Sequence, residues 1–413
     1  MNNPYSDFYR QKYKGLNIKP EKIKSYADFR QIPFLTKKEL LSVPFQARTF
    51  MAEKDIARIS YSSGTTNKAN PFTKLAGGYA KFWDENDLKL IRELDISKVL
   101  VLRSSSRGVF MTLFTRPVEG IICIPGDTAN LENTAYLAKE LDIQSIEATQ
   151  TLLYSFIGYL KKVGFDNNKI KRISLGGEYT TNAKREFFQK QFPNAIITFL
   201  WGCIEFSGRP GFRCPNLYDS ASWLFHLENM FFPEIEEFDN VNLKYFPQAG
   251  ELIYTDIATP RTLPLIRYRT GDVASLEERE CSCGADSIFR MAGRKDSDFF
   301  NYKNMAFHTQ DIDDSLKAVS KYLEPLFQLN IGKRKKNGRE LLEMVLKVAL
   351  KEGVSKPAAL KSIMESVEDN LNTGPAQNLK GVIKEGLVLP LKIEVVKRWP
   401  EDRTKSLNII SHL

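Results

Sequence analysis

Between residues 98 and 200 short apolar runs alternate with stretches whose apolar residues recur at helical spacing. The runs are Val99-Leu100-Val101-Leu102, Gly120-Ile121-Ile122-Cys123-Ile124, residues 143–147, Ile173-Ser174-Leu175 and residues 195–200. Between them, residues 130–141, 151–163 and 182–191 read as amphipathic helices. A strand that is apolar on both faces must be covered on both, and this alternation does so with a parallel sheet between helical layers. The chain is therefore expected in the α/β class. From residue 250 to residue 276 short strands and turns take over and predict a beta-rich subdomain. After Gly293-Arg294 a third pattern starts: a helix at 310–322, a hairpin with strands near 327–331 and 341–349, a helix at 355–371 and a strand at 389–397. That is a small α+β unit.

A length of 413 residues exceeds one ordinary core. The expected division is a large N-terminal domain over 1–295, including the beta subdomain at about 203–290, and a small C-terminal domain over 296–413. The start, MNNPYSDFYRQKYKG, lacks the apolar core of a signal peptide. No apolar run approaches the ~18 residues of a membrane helix, so a cytoplasmic protein without membrane contact is expected. Lys and Arg number 59 against 50 acids, a net charge of +9. Such a surplus suits ATP, pyrophosphate, coenzyme A or an acidic carrier protein, and also nucleic acid. The one dense basic run, Gly332-Lys333-Arg334-Lys335-Lys336-Asn337-Gly338, lies between two strands and reads as a solvated hairpin turn. No zinc-finger repeat, helix-turn-helix or RNA-binding signature stands beside it, so nucleic acid is the less favoured partner.

The segment Tyr61-Ser62-Ser63-Gly64-Thr65-Thr66-Asn67-Lys68 follows a strand-like run and is rich in small donors. Its backbone N–H groups, hydroxyls and lysine suit the β- and γ-phosphates of a nucleotide. It is not a Walker loop, whose G-x-x-x-x-G-K-[ST] spacing is absent from the chain. Downstream stand Gly176-Gly177-Glu178, Trp201-Gly202-Cys203-Ile204-Glu205, Ile266-Arg267-Tyr268-Arg269-Thr270-Gly271-Asp272 and Gly293-Arg294-Lys295-Asp296. Cys281-Ser282-Cys283-Gly284 has the form of a metal knuckle, and Cys214 and His226 supply two more ligands for a closed Cys₃His zinc site of structural type. Unrelated thiols and a core histidine are the alternative.

In this order the motifs resemble those of the adenylate-forming superfamily of acyl-CoA ligases, peptide-synthetase adenylation domains and luciferases. The nearest likeness is to the phenylacetate–CoA ligase branch, which also shares an arm matching Asp7-Phe8-Tyr9-Arg10 and Ile32-Pro33-Phe34-Leu35-Thr36-Lys37-Lys38-Glu39-Leu40. The resemblance implies an ATP-dependent, AMP-forming ligase that makes an acyl-adenylate from a small, aromatic carboxylic acid. It implies that Ser62, Ser63, Gly64, Thr65 and Thr66 hold pyrophosphate, and that Glu205 ligates magnesium. Gly176, Gly177, Glu178, Trp201 and Gly202 would line the adenine pocket, Asp272 would take the ribose hydroxyls, and Arg294 would contact ribose or phosphate. Lys405, in Arg403-Thr404-Lys405-Ser406, would be the catalytic lysine that bridges carboxylate and α-phosphate. Ala148, Thr149, Leu152 and Trp201 would face the acid. The family carries similar cysteines and a histidine around a beta-rich subdomain.

The sequence departs from the family pattern at Ile204, where a threonine is usual, at Thr404, where a glycine is usual, and at Asn301-Tyr302-Lys303-Asn304-Met305, where an Arg-Gly pair borders the pantetheine tunnel. Coenzyme A is the expected acceptor, with a carrier-protein thiol, an amine or a hydroxyl as alternatives. Homodimerisation is a further expectation from the resemblance. A non-catalytic nucleotide-binding protein of the same fold is the rival of another class. A serine hydrolase is disfavoured, since no G-x-S-x-G elbow occurs.

Overall fold

The structure, a computed structural model, describes residues 7–16, 18–52, 54, 56–62, 70–75, 84–103, 118–202, 205, 210–218, 223–228, 231–238, 245–257, 263–277, 280–285, 287–302, 305–336, 338–374, 377–397 and 407–413. Strands β1 (Ile56–Ser62) and β2 (Asn70–Leu75) form an antiparallel pair. Next come five strands, β3 (Lys98–Leu102), β4 (Ile122–Pro125), β5 (Ser145–Ala148), β6 (Arg172–Gly176) and β7 (Ile196–Leu200). They form a wholly parallel sheet in the order β4-β3-β5-β6-β7. Every residue of β5 and β6 is buried, as a sheet covered on both faces requires. Helices Leu131–Glu140, Gln150–Lys162 and Asn182–Gln191 occupy the crossovers. Strands β4 and β5 begin two residues later than the apolar runs suggest. Gly120, with φ of 81°, and Asp142, with φ of 52°, keep the chain turning up to those points.

One polar cluster lies inside this layer. Arg172 on β6, with no exposed surface, donates to Glu147 of β5 at 3.1 Å and to Asp87 of helix Glu85–Glu93 at 3.2 Å. Two carboxylates around one guanidinium keep these charges paired where water cannot reach them.

An antiparallel sheet follows, built from β8 (Gly211–Phe212), β9 (Leu224–Leu227), β10 (Phe231–Glu237), β11 (Gly250–Asp256), β12 (Tyr268–Glu277) and β13 (Ile288–Arg294), in the order β10-β11-β12-β13-β9-β8. An arm from early in the chain is stitched to β12. Leu35 exchanges backbone hydrogen bonds with Arg267 and Arg269, both 2.8 Å. The Tyr9 hydroxyl donates to the carbonyl of Pro264. Arg267 pairs in bidentate fashion with Glu234 (2.9 and 3.0 Å) and donates to the carbonyls of Arg30 and Ile32. These bonds hold Arg267 at a φ of 46°, a conformation a non-glycine residue keeps only when its surroundings over-determine it.

A small mixed C-terminal domain completes the chain. Its core begins at Phe300, immediately after the last residue of the large core, Phe299. Strands β14 (Phe299–Tyr302) and β15 (Met305–His308) form a hairpin, and β16 (Leu323–Lys336) and β17 (Arg339–Leu350) a longer one. Strand Lys392–Val395 pairs parallel to β17 and strand Ile409–Ser411 parallel to β16. Residues 332–336 of the basic run expected as a turn are instead the end of β16, exposed from Lys333 on, and Gly338 lies in the turn. Lys333 reaches Glu340 diagonally at 3.2 Å and Arg334 reaches Glu343 at 2.9 Å, so opposite charges across the ladder prolong the hairpin. The helix expected over 310–322 is Thr309–Leu316, with one further turn of tighter helix at Lys317–Val319. Among the described residues no helix is long and apolar enough to cross a membrane.

Candidate functional site

The carboxyl ends of β5, β6 and β7 lie side by side, with Ala148 opposite Leu175 and Gly176 opposite Leu200. In open parallel sheets this edge is where ligands bind. Thr149, just past β5, caps helix Gln150–Lys162 by accepting from the Leu152 N–H at 3.3 Å. Leu152 and Ala148 are buried. Gly176 is required by close approach: a Cβ there would lie 2.8 Å from the Leu200 carbonyl oxygen and 3.4 Å from the Arg103 guanidinium. Glu178 spends its carboxylate on Thr151, accepting from the backbone N–H at 3.0 Å and from the hydroxyl at 2.9 Å.

The edge continues into the antiparallel sheet through Trp201. Its indole N–H donates to Asp272 Oδ2 at 3.1 Å, and Arg294 Nη1 donates to Asp272 Oδ1 at 3.2 Å. Pairing of β12 with β13 sets Asp272 opposite Arg294. Burial raises the Asp272 carboxyl above its ordinary range, although Arg294 and Trp201 pull the other way. Glu205, also buried, ends up below its ordinary range. Burial would raise it, but the Lys37 ammonium at 2.8 Å outweighs that penalty. Thus Trp201, Glu205, Asp272 and Arg294, separated in sequence, converge on one place. Ser62 ends β1; Ser63, Gly64, Thr65, Thr66 and Lys405 lie outside the described residues.

Lys37 is a residue of this site to which sequence reasoning gave no role. Thr36 and Glu39 form a capping box at the start of helix Lys37–Ser42, which puts Lys37 in the first turn. A cation there opposes the helix dipole, and that mismatch was the available signal that its partner lies elsewhere.

A second cluster joins Cys214, His226, Cys281 and Cys283, whose ligand atoms all lie within 4.8 Å of one another. Cys214 Sγ is 3.4 Å from His226 Nε2 and 3.5 Å from Cys281 Sγ, and Cys283 Sγ is 3.3 Å from His226 Nε2. Ligands about 2.0–2.3 Å from a tetrahedral zinc would sit roughly 3.5–3.8 Å apart. His226 Nδ1 lies 2.8 Å from the Ser287 carbonyl, to which it donates as N–H, and this turns the Nε2 lone pair toward the thiols. Both the donor set and its spacing fit zinc.

No family model matches the chain. The phenylacetate–coenzyme A ligase of Thermus thermophilus is 24% identical over 417 residues, covering 94% of this chain and 87% of that protein. The enzyme of the same name from Escherichia coli is 25% identical over 364 residues, covering 83% of this chain and 78% of that one. The resemblance to the adenylate-forming superfamily, in its phenylacetate–CoA ligase-like branch, holds along most of the chain. Solved structures agree with the fold. A 2-hydroxyisobutyryl-CoA ligase in its postadenylation state, in complex with 2-HIB-AMP, superposes with a TM-score of 0.71 at 17% identity, over 98% of this chain and 86% of that one. The same enzyme with 2-HIB-AMP and CoA in the thioesterification state gives 0.55 at 18% identity over the same shares.

Proposed function

We propose that this chain activates a small carboxylic acid with ATP as its acyl-adenylate and then passes the acyl group to coenzyme A. The observation that carries the reading is the convergence of Trp201, Glu205, Asp272 and Arg294 on the carboxyl edge of the parallel sheet. In the first step a substrate carboxylate oxygen attacks the α-phosphorus of ATP, the bond to the bridging oxygen breaks, and pyrophosphate leaves. In the second the thiolate of coenzyme A attacks the acyl carbon and AMP departs, the thiol proton having gone to solvent.

Each residue has a task in holding charge. Ser62, Ser63, Gly64, Thr65 and Thr66 hold the departing pyrophosphate. Asp272, an acceptor with two oxygens, takes the ribose hydroxyls, with Arg294 beside it for ribose or phosphate. Gly176, Gly177, Glu178 and Gly202 border the adenine, and Ala148, Thr149, Leu152 and Trp201 the acid. Lys405 bridges the carboxylate and the α-phosphate, so the two anions can meet. Glu205, kept ionised by Lys37, is the residue that would hold magnesium, which supplies neutralisation of the phosphates. An aromatic acid is favoured by likeness to the phenylacetate ligases. A cytoplasmic location accords with the use of ATP and coenzyme A. Two separate cores that meet at Phe299 and Phe300 support a division near residue 296.

Acid-dependent ATP–pyrophosphate exchange over a panel of aromatic and aliphatic acids tests this. Exchange with one acid class, lost in Lys405→Ala, is expected. Bound ATP without exchange for any acid would favour a non-catalytic nucleotide-binding protein. An acceptor other than coenzyme A (a carrier-protein thiol, an amine or a hydroxyl) is the second reading. The sequence Asn301-Tyr302-Lys303-Asn304-Met305, in place of the Arg-Gly pair that borders the pantetheine tunnel, favours it, and coenzyme A failing to discharge the acyl-adenylate would establish it.

The four-residue thiol and imidazole cluster is proposed to hold structural zinc. Metal analysis is expected to find one zinc per chain, and Cys214→Ser to lose it together with thermal stability. A metal-free protein that melts like the variant would sink this assignment.

A further inference from the structure

Helix Asn182–Gln191 of the large domain has no side-chain cap of its own, since Thr181 at its N-cap makes no capping bond. Its first N–H groups are instead satisfied by the small domain. Gln310 Oε1 accepts from Asn182 N at 3.1 Å and Asp313 Oδ2 from Ala183 N at 3.2 Å. Both acceptors lie on helix Thr309–Leu316. The neighbouring residue, Lys184, is stranger. It is a cation in the first turn of a helix, where the dipole opposes it, and it is almost wholly buried. Its partners come from across the domain boundary: Asn408 Oδ1 at 2.7 Å, the Phe327 ring with its centroid 4.6 Å from Nζ, and the nearby carboxylates of Asp313 and Asp298.

Asn408 faces two ways. While accepting from Lys184 it donates through Nδ2 to Asp298 Oδ1 at 2.8 Å. Its own carbonyl accepts from Leu329 N of β16 at 2.8 Å. Asp298 in turn accepts from the backbone N–H of Arg294 at 2.8 Å. Gly293, with φ of 91°, allows this approach, because a Cβ there would stand 2.6 Å from Asp298 Oδ2. Lys184, Asn408, Asp298 and Arg294 thus form one chain of contacts from a large-domain helix to the nucleotide-site arginine. His308 seals the same boundary. Its ring sits among Tyr179, Phe246 and Phe299 at centroid distances of 4.8, 4.7 and 4.7 Å.

We propose, resting on the adenylating reading above, that Lys184 is a positioning residue: through Asn408 it latches the small domain in the arrangement for adenylation. The latch is built to release. Lys184, Asp298 and Asp313 are each penalised by burial, and that penalty vanishes when the domains part and water returns. Docking is then favourable by a small margin, as a domain that must move between two half-reactions requires.

The test compares Lys184→Met, which keeps an apolar stem against Phe327, and Asn408→Ala with the full-length wild type. ATP–pyrophosphate exchange is expected to fall about 10- to 100-fold, with the KM for ATP nearly unchanged. Coenzyme A-dependent consumption of supplied acyl-adenylate is expected to hold at the wild-type rate or rise. In parallel, hydrogen exchange at the Asn182 and Ala183 amides is expected to accelerate, while amides of β5 and β6 keep their protection. Equal loss of both half-reactions would make Lys184 merely structural and overturn the latch, as would unchanged exchange. Wild-type protein with no exchange for any acid would bring down the adenylating reading instead. The amides alone then decide the latch, and protection retained in Asn408→Ala overturns it.

Discussion

Asp272→Ala is expected to lower acid-dependent ATP–pyrophosphate exchange by about 10²- to 10³-fold, the usual cost of removing a pre-placed polar group from a reacting site. The side chain joins two sheets, accepting from Trp201 on one side and Arg294 on the other. Its loss removes the proposed ribose acceptor and leaves the buried Trp201 N–H and the half-exposed Arg294 guanidinium to find other partners. Asp272→Asn separates these effects, because the amide keeps an acceptor oxygen but not the charge; an intermediate loss is expected. The wild type carries a further signature. Burial raises the Asp272 carboxyl, so in the free enzyme its ionised form, and the kcat/KM that depends on it, is lost at a higher pH than for an ordinary carboxylate. A folded Asp272→Ala protein that exchanges within about twofold of wild type would remove Asp272 from the site.

Arg172→Met is expected to cost about 3–5 kcal/mol of stability, because it leaves Glu147 and Asp87 in the interior without their shared cation. Denaturant titration reads this as a lower midpoint with an unchanged slope. Adding Glu147→Leu and Asp87→Leu to the same chain is expected to recover much of the loss, since an apolar set of similar volume has no charges to desolvate. If Arg172→Met alone melts like wild type, the cluster carries no net stabilisation.

Sequence patterns went far where the physics is local or repetitive. Helix Asn182–Gln191 was legible residue for residue because its apolar spacing, not its cap, defines it. The parallel sheet was legible from continuous apolar runs, and the four ligands of the thiol cluster from spacing and donor type. Asp272, Glu205, Trp201 and Arg294 were nameable because their motifs resemble, in order, those of the adenylate-forming ligases. What escaped was long-range charge pairing. Lys37 owes its place to Glu205 and Lys184 to Asn408, 224 residues further on. Nothing in the neighbouring residues encodes those partners beyond an awkward cation in a helix's first turn. The reach of the β16–β17 hairpin escaped likewise, because it depends on charges facing each other only once the strands are paired.

The arm that is stitched to β12 has a consequence for how the molecule comes into being. Tyr9 meets Pro264 across 255 residues, and Arg267 meets Arg30 across 237. Contacts of such separation are slow to close. At ribosomal speeds of about 5–20 residues per second, the arm waits on the order of ten seconds or more before its partner strand exists. During that wait Phe8, Tyr9, Tyr13 and Leu35, all buried in the finished protein, have one another and Phe50 but not the later strand they pack against. A nascent chain of this design is most exposed to chaperones, and to misassociation, through this arm.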